Sequence, residues 1–515
     1  MKSIRKHLST AMALCILAGS SVMPVSAEDI PCKPPQYGDT NCDGQIDVSD
    51  AVLLARFNAE EDVMISTQGK TQGDVNLDGN LDTEDTLQIL QYIAKLRTEL
   101  GVQSQTPPET APTVNLTKDI AQDTVSGKAA DETFVSGQLG FTANLLRETH
   151  RDEIKERSED DDPKNLMISP LSVSLALGMT ANGAREETNQ QMQNVLNKAI
   201  DTDTLNAYYY NYMANLPSEE GSELHIANSI WARNDKSRLI VPEQFLKTTK
   251  SYYNADFYVA PFDQTTVDDI NGWVNENTHK MIPKLISRIQ PQEIMYLMNA
   301  IAFEAEWETP YEDVNIREDK FTRADGKKVE AEFMWDELNT YIHDDKATGF
   351  IKRYKNGTYS FAAILPNKNV TVNDYIESMS ANSLKKLLES RTHETVYTKL
   401  PKFSFDYGTS LKRTLMKMGM ELPFDDGAAD FTGLNEIPGT FISDVLHKTF
   451  IAVDERGTKA GAVTAVIMAD NAAPMEQEPP KEVYLDRPFL FMILDNQNDL
   501  PVFIGYVLDP TQKSE

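Results

Sequence analysis

Two short acidic segments near the start of the chain contain the residues whose types and spacing most directly suggest chemistry. Each places oxygen-bearing side chains at its first, third, fifth, ninth and twelfth positions, with glycine sixth, where the backbone must bend sharply, and a backbone carbonyl available at the seventh. The candidate ligands are Asp39, Asn41, Asp43, Gln45, Asp47 and Asp50 in the first segment, and Asp74, Asn76, Asp78, Asn80, Asp82 and Asp85 in the second. Oxygen donors at this spacing suit Ca²⁺, so the sequence predicts two calcium ions, one in each segment.

The duplication makes this pattern specific. The second segment begins 35 residues after the first, and each is followed by apolar residues at helical spacing, in 51–57 and 86–93. A single Asp-rich segment is often only a solvated turn, whereas two copies with the same spacing and the same flanks are not a coincidence. Each copy is similar to the calcium loop of an EF-hand, with Asp instead of Glu at the twelfth position.

Residues 36–100, which contain both copies, closely resemble a dockerin, the calcium-dependent module that binds cohesins on the scaffoldin of a cellulosome. The resemblance implies a small all-α module with two calcium loops and a cohesin as its partner. It also implies that residues beside the twelfth position contact the cohesin, namely Val48 and Ser49 in the first copy and Thr83 and Glu84 in the second. The alternative is a calcium-stabilised appendage that has no partner.

The N-terminus has the features of a secretory signal over residues 1–27. It has a basic start at Lys2 and Arg5, an apolar run over 11–19 that is too short to span a bilayer, and small residues at 25–27. We therefore expect a secreted, extracellular protein. Elsewhere the sequence contains no segment that is long and apolar enough to predict a membrane helix.

The net charge limits the classes of partner that the protein can bind, and the cysteines bear on the redox conditions of its compartment. The net charge of −30 makes nucleic acid and anionic lipid poor partners. Cys32 and Cys42 are the two cysteines that follow the signal. They could close a small disulfide in an oxidising compartment, or both could stay reduced, and the sequence leaves the two possibilities open.

The rest of the chain divides into a linker and one large domain. Residues 101–130 are rich in Pro, Thr, Gln and Ser and show no apolar period, so they predict an extended, solvated linker. Residues 131–515 alternate helical and strand-like patterns, with a helical first third and a buried hairpin formed by 489–494 and 502–507. This mixture predicts an α+β domain with large antiparallel or mixed sheets.

One strand-like stretch of the large domain, 455–466, is unusual because its side chains are small. Thr458, Ala460, Ala462 and Thr464 fall on one face of a period-two backbone and bring little apolar burial of their own. Small side chains suit a segment that must slide between strands already packed together, and Gly457 supplies a permissive hinge before it. By itself this stretch favours the simpler interpretation, a small-residue strand that leads into a surface loop.

Several stretches of the large domain have the residues and the order found in serpins, among them the Asn-Gly-Trp-Val run that starts at Asn271. They are 165–172, 271–278, 298–307, 400–403, 430–434, 447–458 and 486–491. The domain therefore resembles the serpin superfamily over residues 131–512. The resemblance implies a serpin fold of the α+β class, with three β-sheets, about eight to nine helices and an exposed reactive loop.

In serpins a protease attacks the exposed loop and forms an acyl-enzyme, and the cut loop then inserts as a new strand into the central sheet, an established example of strand addition. The resemblance implies that the large domain is a monomeric inhibitor that traps a protease. The implied hinge consists of Glu455, Gly457, Thr458, Ala460, Ala462 and Thr464. The family distance from Gly457 places the reactive bond at Asn471–Ala472, with Met468–Ala469 as the second candidate. These uncharged residues favour subtilisin-like or elastase-like serine proteases.

The resemblance also assigns roles to polar and aromatic residues of the central sheet and its surroundings. The implied shutter, a polar network beneath the sheet, consists of Ser169, Ser172, Asn299 and His447. The implied breach, where the loop first enters the sheet, includes Trp307, Lys402 and Glu455. A buried polar group without a partner costs about 1–3 kcal/mol, so a network whose members can exchange partners would suit a sheet that admits a new strand.

The sequence argues against an enzyme. It contains no Gly-x-Ser-x-Gly elbow, no His-Glu-x-x-His motif and no phosphate-binding glycine loop. Two alternatives to a serine protease inhibitor remain open: a cross-class inhibitor of papain-like cysteine proteases, and a non-inhibitory binding protein with the serpin fold. The small, uncharged hinge residues favour an inhibitor.

Overall fold

The computed structural model describes most of the chain and divides it into two compact units, with the boundary between Thr110 and Ala111. The described residues are 36–58, 63–77, 79, 81–95, 99–101, 112–158, 161–197, 200–235, 239–290, 293–458 and 479–512, with backbone only at Glu84 and Asn299. The predicted signal, Cys32 and the predicted reactive bonds lie outside them. No helix within these ranges combines the length and the apolar character that crossing a membrane requires.

The first unit is all-α over its described residues. Its helices are α1 (Val48–Asn58), α2 (Thr67–Gly73) and α3 (Thr83–Ile93). Both α1 and α3 begin inside an acidic segment, and the first turns of these helices therefore contain the last predicted calcium ligands. A small core of Ala51, Leu54, Ile65, Val75 and Ile89 packs the helices together.

The second unit contains nine α-helices among its described residues. They are α4 (Glu132–Glu156), α5 (Pro170–Ala181), α6 (Glu186–Asn197), α7 (Thr202–Asn215), α8 (Glu243–Tyr253), α9 (Gln264–Asn277), α10 (Val372–Glu377), α11 (Ala381–Glu389) and α12 (Lys412–Lys417). The central helix is α5, every residue of which is buried. It begins where Ser169 caps the backbone N–H of Ser172 and proline occupies the first turn, a combination typical of helix starts.

Among the residues that the structure describes, the first sheet has seven strands, in the order β1-β4-β3-β5-β13-β12-β11. Their bounds are β1 (Val114–Asn115), β3 (Ser222–Arg233), β4 (Asp256–Ala260), β5 (Met295–Glu306), β11 (Phe403–Ser410), β12 (Asp444–Val453) and β13 (Gly457–Thr458). β3 and β5 pair antiparallel over eleven residues, which makes this half of the sheet regular. β11 and β12 form an equally regular antiparallel pair at the other edge.

The second sheet has nine strands within the described ranges, in the order β14-β10-β7-β8-β9-β15-β16-β2, with β6 paired to β7. Their bounds are β2 (Leu166–Ile168), β6 (Ile316–Thr322), β7 (Lys328–His343), β8 (Ala347–Arg353), β9 (Tyr359–Pro366), β10 (Thr392–Pro401), β14 (Lys481–Tyr484), β15 (Phe489–Asp495) and β16 (Leu500–Val507). The third expected sheet, formed by β6, β10 and β14 around β7, is continuous with the second because the sixteen-residue β7 also pairs with β8.

The first sheet is covered on both faces. One face packs on the main core, which includes α5 and the buried hairpin of β15 and β16. The opposite face packs on a separate apolar cluster in which Val267, Ile270 and Val274 of α9 meet Tyr296 and Ala302 of β5. Any strand that enters this sheet therefore lies between two apolar layers.

The predicted linker is too long at its C-terminal end. Val114 and Asn115 pair with Val259 and Tyr258 of β4, and the backbone N–H of Lys128 donates to the carbonyl of Ala207 in α7 at 2.9 Å. These contacts tie the stretch after residue 111 to the second unit. Sequence pattern does not predict these contacts, because the stretch is polar and has no apolar period.

Candidate functional site

Two residues of the small-residue segment (455–466), Gly457 and Thr458, already lie inside the first sheet. We call the space between β5 and β12 the slot. At one end of the slot β13 forms a two-residue strand, in which Gly457 pairs with Glu306 and Thr458 pairs with Ala305, antiparallel to β5. On its other side Thr458 pairs antiparallel with Val453 of β12.

At the other end of the slot β5 and β12 pair with each other directly. The pairing is parallel, runs over Asp444–His447 and places His447 opposite Asn299. Neighbouring strands lie about 4.8 Å apart, so β5 and β12 are two such spacings apart at Thr458 and one spacing apart at His447. The sheet is thus splayed along the slot.

Position 457 requires glycine because the backbone of β5 approaches it closely. A Cβ atom at this position would lie 2.0 Å from the backbone oxygen of Ala305, a distance at which the backbone would have to move. This contact, rather than an unusual backbone angle, excludes any larger residue where the chain turns into the sheet.

An aromatic pocket holds Thr458. The threonine is 2% exposed, and its Oγ1 lies 2.6 Å from the phenol oxygen of Tyr354. The Tyr354 ring stacks on Trp307 with centroids 4.5 Å apart, and the indole N–H of Trp307 donates to the carbonyl of Asp454 at 2.9 Å. These contacts surround the position of Thr458 at one end of the slot.

An ion pair fixes the turn before the slot. Lys402 Nζ lies 2.9 Å from Glu455 Oε2, and the hydrogen bond from Lys402 lowers the pKa of Glu455. The backbone N–H of Tyr311 donates to the carbonyl of Glu455 at 2.9 Å. The structure therefore brings Lys402, Glu455 and Trp307 to one end of the slot.

A buried polar cluster lies at the other end of the slot. The backbone N–H of Ser169 donates to His447 Nε2 at 3.0 Å, and Ser169 Oγ donates to the carbonyl of Val502 at 2.8 Å. Ser172 Oγ donates to the carbonyl of Ser169 at 3.1 Å. Burial lowers the pKa of His447 to about 4, so the imidazole is neutral at physiological pH and its Nε2 can accept. Three of the four predicted shutter residues thus meet here.

The structure does not describe the side chains of the remaining predicted hinge, shutter and reactive-bond residues. Asn299 is described by its backbone only, and that backbone lies opposite His447. The residues outside the described part of the chain are Ala460, Ala462, Thr464, Met468, Ala469, Asn471 and Ala472. Their roles stay predictions.

Sequence reasoning missed two residues of this site. Tyr354 lies in a run without a recognisable motif, so nothing marked it as the partner of Thr458. Thr449 Oγ1 donates to the carbonyl of Met167 at 2.8 Å, beneath the sheet and two residues from His447. The sequence did contain a signal for Thr449. It lies two residues after His447 on one strand, so the two side chains must share a face of the sheet.

The first acidic segment has the geometry of a loop that wraps an ion. Asp39 Oδ1 accepts from the N–H of Asp43 at 3.0 Å and Asp39 Oδ2 from the N–H of Gly44 at 2.9 Å, while Asp50 Oδ2 accepts from the N–H of Asp47 at 2.9 Å. Gly44 adopts φ = 86°, the left-handed conformation that favours glycine. Asp39 and Asp50 are buried, and among the described residues neither forms an ion pair with a basic side chain. Buried carboxylates in a closed turn fit a hard cation.

The second acidic segment repeats this geometry where it is described. Asp74 Oδ2 accepts from the N–H of Gly79 at 3.0 Å, Asp85 Oδ2 accepts from the N–H of Asp82 at 3.0 Å, and Gly79 again has φ = 86°. Asp85 is fully buried, like its counterpart Asp50. Asp78 and Asn80 lie outside the described residues, and Asn76 is described and buried.

The predicted cohesin-contacting residues lie on the surface of the first unit. Val48, Ser49 and Thr83 are exposed, and the side chain of Glu84 is not described. The next exposed apolar residues on the same helices are Val52 on α1 and Leu87 on α3. Sequence reasoning did not single out these two, although each lies four residues from a predicted contact and therefore shares its helix face.

Comparison with protein families decides the identity of the large domain. A family model described as serpin (serine protease inhibitor) matches residues 141–510. The chain belongs to the serpin family. A second model, the dockerin type I domain, matches residues 37–94, so the first unit of this serpin is a dockerin.

Relatives and solved structures agree with this assignment. A serpin-like protein of Thermococcus kodakarensis is 30% identical over 380 residues, which cover 73% of this serpin and 87% of that protein. The crystal structure of the thermophilic serpin tengpin in its native state matches with a TM-score of 0.71 and 43% identity, covering 78% of this chain and all of that chain. Tengpin in its latent state matches with a TM-score of 0.63 at 43% identity, covering 74% of this chain and 99% of that chain. The expected serpin fold is therefore confirmed.

The family carries a general function with it. Serpins are as a class protease inhibitors, and a dockerin implies a cohesin partner, calcium binding and association with a cellulosome. The chain therefore combines a protease inhibitor fold with a docking module.

Proposed function

We propose that this protein is a secreted inhibitor that traps subtilisin-like or elastase-like serine proteases as a covalent acyl-enzyme. In this proposal the cut loop inserts into the slot between β5 and β12, and the dockerin attaches the inhibitor to a cohesin outside the cell.

The register of β13 carries this proposal. Its pairs with β5 and with β12 can each be continued residue by residue into the small-residue segment. The two continuations place Ala460 opposite Phe303 and Ile451, Ala462 opposite Ile301 and Thr449, and Thr464 opposite Asn299 and His447. Both converge on Asn299 and His447, the pair that closes the far end of the slot. An inserted Thr464 would separate this pair and take its place in the ladder.

The sizes of the residues support insertion. Directly opposite residues of antiparallel strands share a face, so Ala460 and Ala462 would face the main core beside Phe303 and Ile301, which are buried there. Close packing of that core leaves space for methyl and hydroxyl groups but not for longer side chains. The small-residue face is thus matched to the slot it would occupy.

The chemistry would proceed at the exposed bond Asn471–Ala472, with Met468–Ala469 as the second candidate. The protease serine Oγ attacks the carbonyl carbon of Asn471 and an ester forms between them. The amide bond to Ala472 breaks, and Ala472 leaves as a free amine that carries the transferred proton. Insertion then moves the esterified Asn471 away from the slot opening together with the protease, before water can hydrolyse the ester.

The alternatives make different predictions in the same assay. A cross-class inhibitor of papain-like proteases would form a thioester with a catalytic cysteine instead. A non-inhibitory binding protein would be cleaved and released, or left intact. Gly457 and the buried Thr458 favour an inhibitor over a binding protein, because both residues suit a segment that continues into the sheet.

The test is complex formation with subtilisin, elastase and papain, analysed on denaturing gels. We expect a band at the summed mass with a serine protease, and mass spectrometry should place the new C-terminus between Ile467 and Ala473. Cleavage without any covalent complex would contradict the inhibitory function. A cut outside this range would contradict the assigned bond alone.

For the dockerin we propose two calcium ions, one in each acidic loop, and a cohesin surface that includes Val48, Ser49, Thr83 and Glu84. The exposed Val52 and Leu87 extend this surface along α1 and α3. A cohesin should bind the protein in calcium and release it in chelator. Equal binding in both conditions would contradict a calcium-dependent docking module.

A further inference from the structure

Two histidines and a glutamate meet on the outer face of the first sheet, where β5 separates β3 from the slot. Glu223 and His225 belong to β3, and His279 follows α9. His225 Nε2 lies 3.1 Å from Glu223 Oε2, and the rings of His225 and His279 have centroids 3.8 Å apart. One ligand atom from each residue lies within 4.8 Å of the other two.

The elements on either side hold these three residues in place. Glu223 and His225 are two apart on a strand, so their side chains share a face. His279 and Lys280 both adopt left-handed conformations, with φ of 49° and 65°, and the N–H of Lys280 donates to the carbonyl of Asn275 at 2.8 Å. Consecutive left-handed residues other than glycine are uncommon, and here they end α9 in a tight turn that leaves the His279 ring against β3.

The charge around the cluster favours a cation. Glu304 lies directly opposite Glu223 in the antiparallel register, so its carboxylate is on the same face of the sheet. Within the described ranges Glu223 pairs with His225 and forms no ion pair with Lys or Arg. The cluster thus offers two imidazole nitrogens, one carboxylate and a second carboxylate nearby, without a neutralising basic side chain on Glu223.

We propose that Glu223, His225 and His279 form a binding site for Zn²⁺ or a similar first-row transition metal ion. Two imidazoles and one carboxylate are a donor set that zinc takes in proteins, whereas Ca²⁺ and Mg²⁺ take oxygen donors. Tetrahedral Zn²⁺ with bonds of about 2.0–2.1 Å holds its donors about 3.3 Å apart, so the three side chains need to close only slightly around the ion. Water completes the coordination.

The site would join two elements that the sequence separates. His279 ends the helix that covers the outer face of the sheet, and Glu223 and His225 lie on a strand beneath it. An ion bound by all three favours the arrangement in which the end of α9 lies against β3, and binding therefore stabilises the folded form. This site is independent of the proposed inhibitory function and of the two calcium loops.

The test is a calorimetric titration of the full-length protein with ZnCl₂ in excess Ca²⁺, which keeps the dockerin loops filled. The His279→Ala variant should bind Zn²⁺ more than about tenfold more weakly than the wild type, since loss of even an outer-shell partner weakens natural metal sites about 10- to 100-fold. His393→Ala is the matched control, because His393 is an exposed histidine on β10 outside the cluster. This variant should bind Zn²⁺ with the same affinity as the wild type.

Two further measurements separate binding from a structural effect of the substitution. Glu223→Gln keeps the shape of the side chain and should weaken Zn²⁺ binding while leaving the melting temperature in metal-free buffer unchanged. Co²⁺ should give the absorption bands of a tetrahedral site in the wild type and lose them in His279→Ala. Equal Zn²⁺ affinity in the wild type and His279→Ala, or no binding by the wild type, would overturn the proposal.

Discussion

Thr458 is the residue on which the slot depends most directly. It is enclosed by β5, β12 and the phenol of Tyr354, and its hydroxyl has a partner inside the protein. A threonine supplies enough volume to fill this pocket and a polar group that satisfies Tyr354. The sequence indicated that the residue is small and inward-facing, but not that it is already inside the sheet.

The first prediction concerns Thr458→Arg. An arginine placed where Thr458 is 2% exposed would bury a charge without a partner, which costs several kcal/mol. This cost should expel Gly457 and Thr458 from between β5 and β12 in the intact protein, so that insertion must bury the charge again. Each 1.4 kcal/mol added to the insertion barrier in this way slows insertion about tenfold, so hydrolysis of the acyl-enzyme should win. We expect the variant to be cleaved as a substrate, with loss of most of the covalent complex on a denaturing gel.

The matched control is Thr458→Ala, which keeps the residue small and uncharged and should still form the complex. A Thr458→Arg variant that traps protease as well as the wild type would show that this position does not govern insertion.

The second prediction concerns the pH dependence that His447 confers. An unfolded histidine binds a proton below a pH of about 6.5, whereas the buried His447 has its pKa lowered to about 4. Between these values the unfolded state binds more protons, so the stability contributed by neutral His447 is present above pH 6.5 and is lost as the pH falls towards 4. The loss should be about 3 kcal/mol, since each pKa unit corresponds to about 1.4 kcal/mol.

The measurement is urea unfolding of the wild type and of His447→Gln at pH 7 and pH 4.5. The stability of the wild type should fall by more than that of the variant over this range. Parallel losses in the two proteins would mean that His447 is not held neutral beneath the sheet.

At the scale of elements, strands and helices with strong apolar patterns were predictable, and their partners were not. The helix that begins at Pro170 and the hairpin of β15 and β16 follow from apolar periodicity and from capping residues close in sequence. The run over 396–405 has the pattern of a single strand, but it forms parts of two strands, β10 and β11, which belong to different sheets and are separated by Lys402. Pairing depends on contacts between residues far apart in the chain, which local pattern does not record.

The shape of the slot depends on how three strands, β5, β12 and β13, pair with one another. The period-two pattern predicted which face of the small-residue segment points inward. It did not indicate that β5 and β12 are splayed at Thr458 and paired at His447, since that follows from the pairing of three strands. The register of β13 with β5 and β12 connects the small-residue face to the shape of the slot. Continued along the segment, it would bring Thr464 opposite Asn299 and His447, where the slot is closed.

The third prediction concerns the two acidic loops. Asp39→Ala and Asp74→Ala each remove the first ligand of one loop, so each variant should bind one calcium ion fewer than the wild type in a calorimetric titration. The buried Asp50 and Asp85 need a cation to offset the loss of their hydration, so chelation should also lower the melting temperature of the first unit. The serpin unit serves as the internal control, and its melting temperature should not change.

A wild-type stoichiometry of one would contradict the proposal of two equivalent loops. Unchanged stoichiometry in both variants would show that the loops are not the calcium sites.

At the scale of the whole molecule, the order of modules was predictable because each module carries its own motif. Repeated ligand spacing identified the dockerin, and motifs in serpin order identified the large domain. The boundary between them was less predictable, because the short strand β1 joins the sheet through backbone pairing with β4 and has no side-chain pattern of its own. The cluster of Glu223, His225 and His279 also escaped prediction, since its histidines are 54 residues apart in the sequence.

The most direct test of the account is the thermal unfolding of the intact protein and of a form cleaved once in the loop between Ile467 and Ala473. If the freed segment fills the slot as an added strand between β5 and β12, the cleaved serpin unit should melt at a clearly higher temperature than the intact one. Equal melting temperatures, or a lower one after cleavage, would contradict insertion and remove the driving force for trapping a protease.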